Sequence, residues 1–169
     1  SLHNKKERIQ YKMFIAEGGK IVSELLDSQH SFQSIYCVND SEDSFREMEG
    51  CELISAKEMK MISSMKNPPG VMAIIDFLLW PTPDFNKGRY LFLDRINNPG
   101  NLGTIIRIAD WFGFDGLICS ENSVDLYNPK TIQSAMGSVF HTPVFYSESK
   151  DFFEKLNPDV QVIGAVLDG

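Results

Sequence analysis

The sequence predicts an α/β protein, a small α/β unit followed by a second unit built on a parallel sheet. Three observations carry this reading. Apolar runs of strand length alternate with helix-periodic segments along the whole chain. Residues 89–120 run as strand, turn, helix and strand, the repeating unit of parallel sheets. Between the halves, residues 79–88 (LWPTPDFNKG) combine prolines, a threonine and a closing glycine, a composition suited to an extended linker. The expected division is 1–78, a linker 79–88, and 89–169.

In the first unit, residues 5–12 read as a helix on which Lys5, Arg8 and Lys12 share one face, suited to a phosphate backbone or simply to solvent. Residues 13–17 alternate as a short strand, ended by Gly18-Gly19, and 20–26 form a helix with Ile21, Val22, Leu25 and Leu26 as its stripe. Residues 33–38 are strand-like, 41–48 helical and 52–55 a strand. Ser55 and Glu58 make a capping box for a helix reaching residue 65. Asn67-Pro68-Pro69-Gly70 stops it before a buried strand over 71–77.

In the second unit, residues 90–93 form a buried strand, residues 97–103 (NNPGNLG) a turn, 104–112 a helix and 116–119 another strand. The turn falls where the carboxyl end of a strand meets the amino end of a helix, the place where open α/β sheets hold ligands. The helix is apolar nearly all round, so it is expected to be covered on more than one side. Further on, Asn128 caps a helix over 131–136, with Pro129 at its first position. Residues 139–145 are extended and broken by Pro143, 150–156 are helical, and 160–167 (VQVIGAVL) form a last parallel-type strand.

Arg107 stands in the middle of the apolar helix, about a turn past the NNPGNLG segment. Its guanidinium keeps its charge in any surroundings and needs a partner or a polar cleft. Two readings follow: an i,i+3 pair with Asp110 on a solvated edge, or a side chain leaning back over the turn.

Composition narrows the function classes. A net charge of −7 argues against a protein that coats nucleic acid indiscriminately, while allowing a local basic patch. Cys37, Cys51 and Cys119 lack metal-ligand spacing and read as reduced core residues of a cytoplasmic protein. No apolar run reaches membrane-spanning length. Phosphate loops with Lys-Ser/Thr, zinc-like Cys/His sets and nucleophile elbows are all missing, and His141 stands alone as a surface or half-buried histidine.

Residues 98–107 (NPGNLGTIIR), after a strand ending in Asp94, resemble the first signature motif of the SpoU (TrmH-like) RNA ribose 2′-O-methyltransferases of the knotted SPOUT class. The family pattern is roughly D-P-x-N-x-G-x-x-x-R, and Asn98 replaces its first Asp. Residues 8–20 (RIQYKMFIAEGGK), with Phe14, Glu17 and Gly18, are similar to the family's amino-terminal substrate-binding domain, and residues 67–73 (NPPGVMA) to its closing segment. Residues 125–144 resemble the family stretch after an N-P-K turn, with Gln133 where many members carry Arg.

The resemblance implies a ribosomal-protein-like RNA-binding domain followed by a SPOUT methyltransferase domain. It implies S-adenosylmethionine-dependent methylation of a ribose 2′-hydroxyl in structured RNA. The first domain favours rRNA over tRNA as the target, and a non-catalytic RNA-binding module is the alternative reading. It further implies Arg107 at the reacting hydroxyl, Asn101 shaping the loop and holding the target nucleotide as the second catalytic residue, Ala165, Val166 and Leu167 against the cofactor, and Lys5, Arg8, Lys12, Asn98 and Lys130 on RNA. Glu17-Gly18 is expected to be structural. The family's second and third motifs, which form the knot, most of the cofactor pocket and much of a homodimer interface, are not found before Gly169. The second domain is therefore expected to be incomplete.

Overall fold

The structure is a computed structural model that describes residues 1–38, 45 and 50–165. Two sheets organise it, separated by residues 77–89, which contain no helix or strand, as the prolines of the linker require.

The first sheet holds β1 (Met13–Glu17), β2 (Phe32–Val38), β3 (Cys51–Ile54) and β4 (Val71–Asp76) in the order β1-β4-β2-β3. β4 runs antiparallel to both β1 and β2, whereas β3 pairs parallel with β2. The apolar run of β4 is explained by its central place, where both faces are covered. Helix α1 (Lys5–Tyr11) is capped by Asn4. Helix α2 (Gly19–Asp27) buries Ile21, Val22 and Leu25. Helix α3 (Ala56–Ile62) opens on the full Ser55–Glu58 capping box but ends at Ser63, three residues short of the expected limit. Its backbone is released there because Ser63 and Ser64 both donate to the buried Glu17 carboxylate, which ties the end of β1 to this turn. The structural role expected for Glu17 is thus accounted for. The helix expected over 41–48 lies, Phe45 apart, outside the described residues.

The second sheet is parallel, in the order β5 (Tyr90–Leu93), β6 (Gly116–Ser120), β7 (Val144–Ser147). β6 is fully buried between its neighbours. Helices α4 (Pro99–Trp111) and α5 (Pro129–Ala135) pack on each other, and α6 (Ser149–Glu154) closes the described fold by inserting Phe152 among Phe85 and Phe92. Three expectations are corrected here. Residues 138–140 form a 3-10 turn, so the strand starts only at Val144, beyond Pro143. Residues 161–165 are in no strand and are exposed, with Ile163 at 81%, because none of the described strands pairs with their backbone. Cys37 and Cys51 are not separate thiols. They lie two positions out of register on the parallel pair β2 and β3, with their Cα atoms 6.5 Å apart, and are joined as a disulfide. Cys119 is free and buried, as expected.

The two sheets are docked by side chains from opposite ends of the sequence. Arg8, 3% exposed, places Nη2 2.7 Å from the Asp125 carboxylate and donates from Nη1 to the carbonyls of Leu2 and His3. Tyr127 stacks on Phe77 at 4.0 Å, touches Phe14, and accepts the Leu78 N–H at its hydroxyl. His30 reaches the Phe140 carbonyl and meets Trp80 edge-on. Glu24 pairs with His141, and Gly137, at φ +99°, sits so close to Glu24 that a side chain there would collide with it.

Candidate functional site

The NNPGNLG segment is not a loop followed by a helix. It is the first turn of α4 itself. Asn98 is the cap, its Oδ1 accepting from the N–H groups of Gly100 and Asn101, and Pro99 occupies the first helical position, where a missing N–H costs nothing. Helical geometry therefore begins five residues earlier than the glycines suggested. Gly103 is required by packing: a β-carbon there would lie 2.5 Å from the Thr131 carbonyl oxygen and 2.6 Å from Ser134 Cβ. The absence of that carbon lets α5 press against the start of α4.

This helical start sets the faces of α4. Leu102, Gly103, Ile106 and Ala109 are buried, whereas Asn101, Thr104, Arg107, Ile108 and Trp111 lie on one exposed face that begins at the carboxyl end of β5. Thr104 donates back to the Gly100 carbonyl. Arg107 is exposed, not buried behind the turn, and makes no hydrogen bond or ion pair with another described residue. The pair with Asp110 does not form. Both residues instead line a groove of about 720 Å³ together with Thr104, Trp111, Lys20 and His141. Lys20 and Glu24 come from α2, so the groove is walled by both halves of the chain. Nothing in the local pattern marks those two wall residues, which only the docking of the sheets brings to the groove. The apolar residues of α4 are covered on one side only: Trp111 is 87% exposed and Phe112 62%.

Lys130 is exposed at the start of α5, and its Cε lies 3.6 Å from where a β-carbon on Gly100 would sit. The structure thus brings Asn98, Asn101, Arg107 and Lys130 to the amino-terminal half of α4 and its neighbour. It does not bring the amino-terminal cations there as a set. Lys5 and Lys12 are exposed, Lys12 as the left-handed cap of α1, but Arg8 is turned inward onto Asp125 and leaves the expected charged face. A buried guanidinium with three partners is not available to a phosphate. Ala165 is exposed and lines neither described cavity, and Val166 and Leu167 lie outside the described residues.

Residues 88–169 match the SpoU rRNA Methylase family, and residues 1–73 match the MRM3-like substrate binding domain. A 23S rRNA (guanosine-2′-O)-methyltransferase of Bacillus subtilis is 32% identical over 98% of this chain and 67% of its own length. The chain belongs to the SpoU rRNA methylase family. A 23S rRNA (uridine-2′-O)-methyltransferase of Streptomyces viridochromogenes is 37% identical over 54% of the chain and 34% of its own. The crystal structure of an AdoMet-bound rRNA methyltransferase from Sinorhizobium meliloti superposes with a TM-score of 0.78 at 30% identity, over 90% of this chain and 61% of that one. The chain therefore spans roughly two thirds or less of the SpoU relatives it matches. Within it, the segment 98–107 is the SpoU-type turn, now seen as a capped helix start.

Proposed function

We propose that the protein methylates a ribose 2′-hydroxyl of rRNA, with S-adenosylmethionine as methyl donor. Membership of the SpoU family and the activities of its relatives support this. The observation that carries it in this chain is Arg107, exposed and unpaired among the described residues, on the same face of α4 as Asn101 and Thr104.

Methyl transfer to a hydroxyl is an in-line displacement in which the oxygen loses one proton, so positioning and charge stabilisation dominate. Arg107 does not act as a base, since its pKa lies above about 12. It grips the phosphate beside the target sugar with its forked donors and stabilises the developing alkoxide, while phosphate or water takes the proton. Asn101, exposed in the first turn, holds the target nucleotide. Asn98, with its oxygen committed to the cap, holds the turn in shape and offers RNA only its NH2. Lys130, Lys5 and Lys12 contact phosphates along the surface.

S-adenosylmethionine supplies the methyl group when bound; no step is assigned to Ala165, Val166 or Leu167. In this reading residues 1–78 dock the RNA, 79–88 link, and 89–169 belong to the transferring domain. The open apolar strip of Ile108, Trp111 and Phe112 supports a homodimer contact. No helix among the described residues is long and apolar enough to cross a membrane, and the reading places the protein with its rRNA in the cytoplasm. The test is transfer of labelled methyl from S-adenosylmethionine to rRNA, with nucleoside mass spectrometry. A 2′-O-methylated nucleoside is expected. RNA retained without methylation would favour a binding module instead.

A further inference from the structure

A second concavity, of about 490 Å³, lies between the sheets on the other side of α5. Ile15 of β1, Met65 and Ile132 give it apolar walls, while Asn128, Lys130 and Gln133 give it polar ones. Its carboxylate, Glu17, is already satisfied by Ser63 and Ser64, so the free formal charge facing the cleft is the Lys130 ammonium. Gln133 makes no hydrogen bond to another described residue. Asn128 spends its oxygen on the Lys130 N–H and keeps its NH2 free.

We propose that this cleft binds one unpaired nucleotide of the RNA, a neighbour of the nucleotide presented to Arg107. Three features of the cleft select that ligand. A volume of this size holds a nucleotide and excludes a duplex. Apolar side chains with free amides beside them match the face and the edge of a splayed base, which is how sequence is read in single-stranded RNA. A lysine at the rim matches its phosphate. The cleft adjoins the α4 turn because Lys130 lies against Gly100 and α5 packs on Gly103. A strand crossing that turn can therefore place consecutive nucleotides at the two sites. The fold thus assigns base selection to Gln133 and Asn128, while Arg107 serves the sugar.

The inference rests on the reading of RNA as substrate, and the test separates the two. Fluorescence anisotropy would follow a labelled single-stranded dodecamer of mixed rRNA sequence, and the same oligomer as a duplex, on this chain. Gln133→Leu removes the amide at similar volume, and Met65→Trp fills the cleft from an exposed position. With melting temperatures unchanged, each variant is expected to weaken single-strand binding about tenfold, as loss of a recognised base does, and to leave duplex binding alone. In the methylation assay the same variants should raise KM about tenfold at constant kcat. Wild-type chain that prefers duplex or binds neither RNA overturns the proposal, as do variants with unchanged affinity and KM. Cleft-dependent RNA binding by this chain, without any methyl transfer by the enzyme carrying the family's second and third motifs, would uphold the cleft and overturn the methyltransferase reading.

Discussion

At the scale of single residues, two arginines have fates opposite to those their sequence neighbours suggest: the one in a charged run is buried and the one in an apolar run is exposed. Arg107 is exposed and unpaired among the described residues, so Arg107→Lys should leave stability within about 0.5 kcal/mol. The substitution keeps the charge but loses the fork, and methyl transfer should fall by at least about a hundredfold, measured as kcat on rRNA. Arg8 is the reverse case. Asp125→Ala would strand its buried guanidinium, and breaking such a pair costs about 3–5 kcal/mol, toward the low end here because Asp125 keeps some solvent contact. Urea denaturation should show that loss, and Arg8→Met with Asp125→Leu should recover most of it. Sequence spacing put Arg8 on a face with Lys5 and Lys12, since its partner stands 117 positions away and leaves no local trace. The Ser55–Glu58 box and the Asn128 cap were legible because every atom they use lies within three residues.

At the scale of elements, the chief misreading concerned α4. Asn, Pro and two glycines look like breakers when counted by propensity, yet each has a use in the first turn: a cap, a fixed φ, and a close approach at Gly103. Gly103→Ala tests this directly. Alanine would gain about 1 kcal/mol of helix propensity. The contacts at 2.5–2.8 Å with α5 should outweigh that gain, for a net loss of about 1–2 kcal/mol by thermal melting. Strands with a partner to pair with, such as the half-buried edge strand β5 and the buried β6, were legible from apolar runs alone. Residues 161–165 have the same composition but no strand beside them, and pattern without pairing does not make a strand.

For the whole molecule, the docking of the two sheets buries groups that resist ionisation. Burial pushes the Cys119 thiol from its ordinary 9.0 to about 12, and Tyr127 is pushed from 10.0 to about 12, mainly by burial, with the Leu78 N–H opposing and Asp125 assisting. The folded chain keeps these protons where the unfolded chain has lost them. Stability from these groups is therefore complete below about pH 9 and is lost as pH rises toward 12. An alkaline series of denaturation curves should show that decline. The open strip on α4 makes a further prediction at this scale: Trp111→Glu should weaken self-association in analytical ultracentrifugation. The grooves between the sheets were invisible in the sequence, because Lys20 shares a groove with Arg107, and Ile15 a cleft with Gln133, only once the halves dock.

The proposed transfer depends on the forked cation of Arg107 serving a sugar hydroxyl. Nucleoside mass spectrometry of rRNA treated with S-adenosylmethionine and either wild-type or Arg107→Lys protein tests it most directly. A 2′-O-methylated nucleoside that forms with the wild type and disappears with the variant, at equal RNA binding, is the expected result. Equal methylation by both proteins would contradict the role given to Arg107.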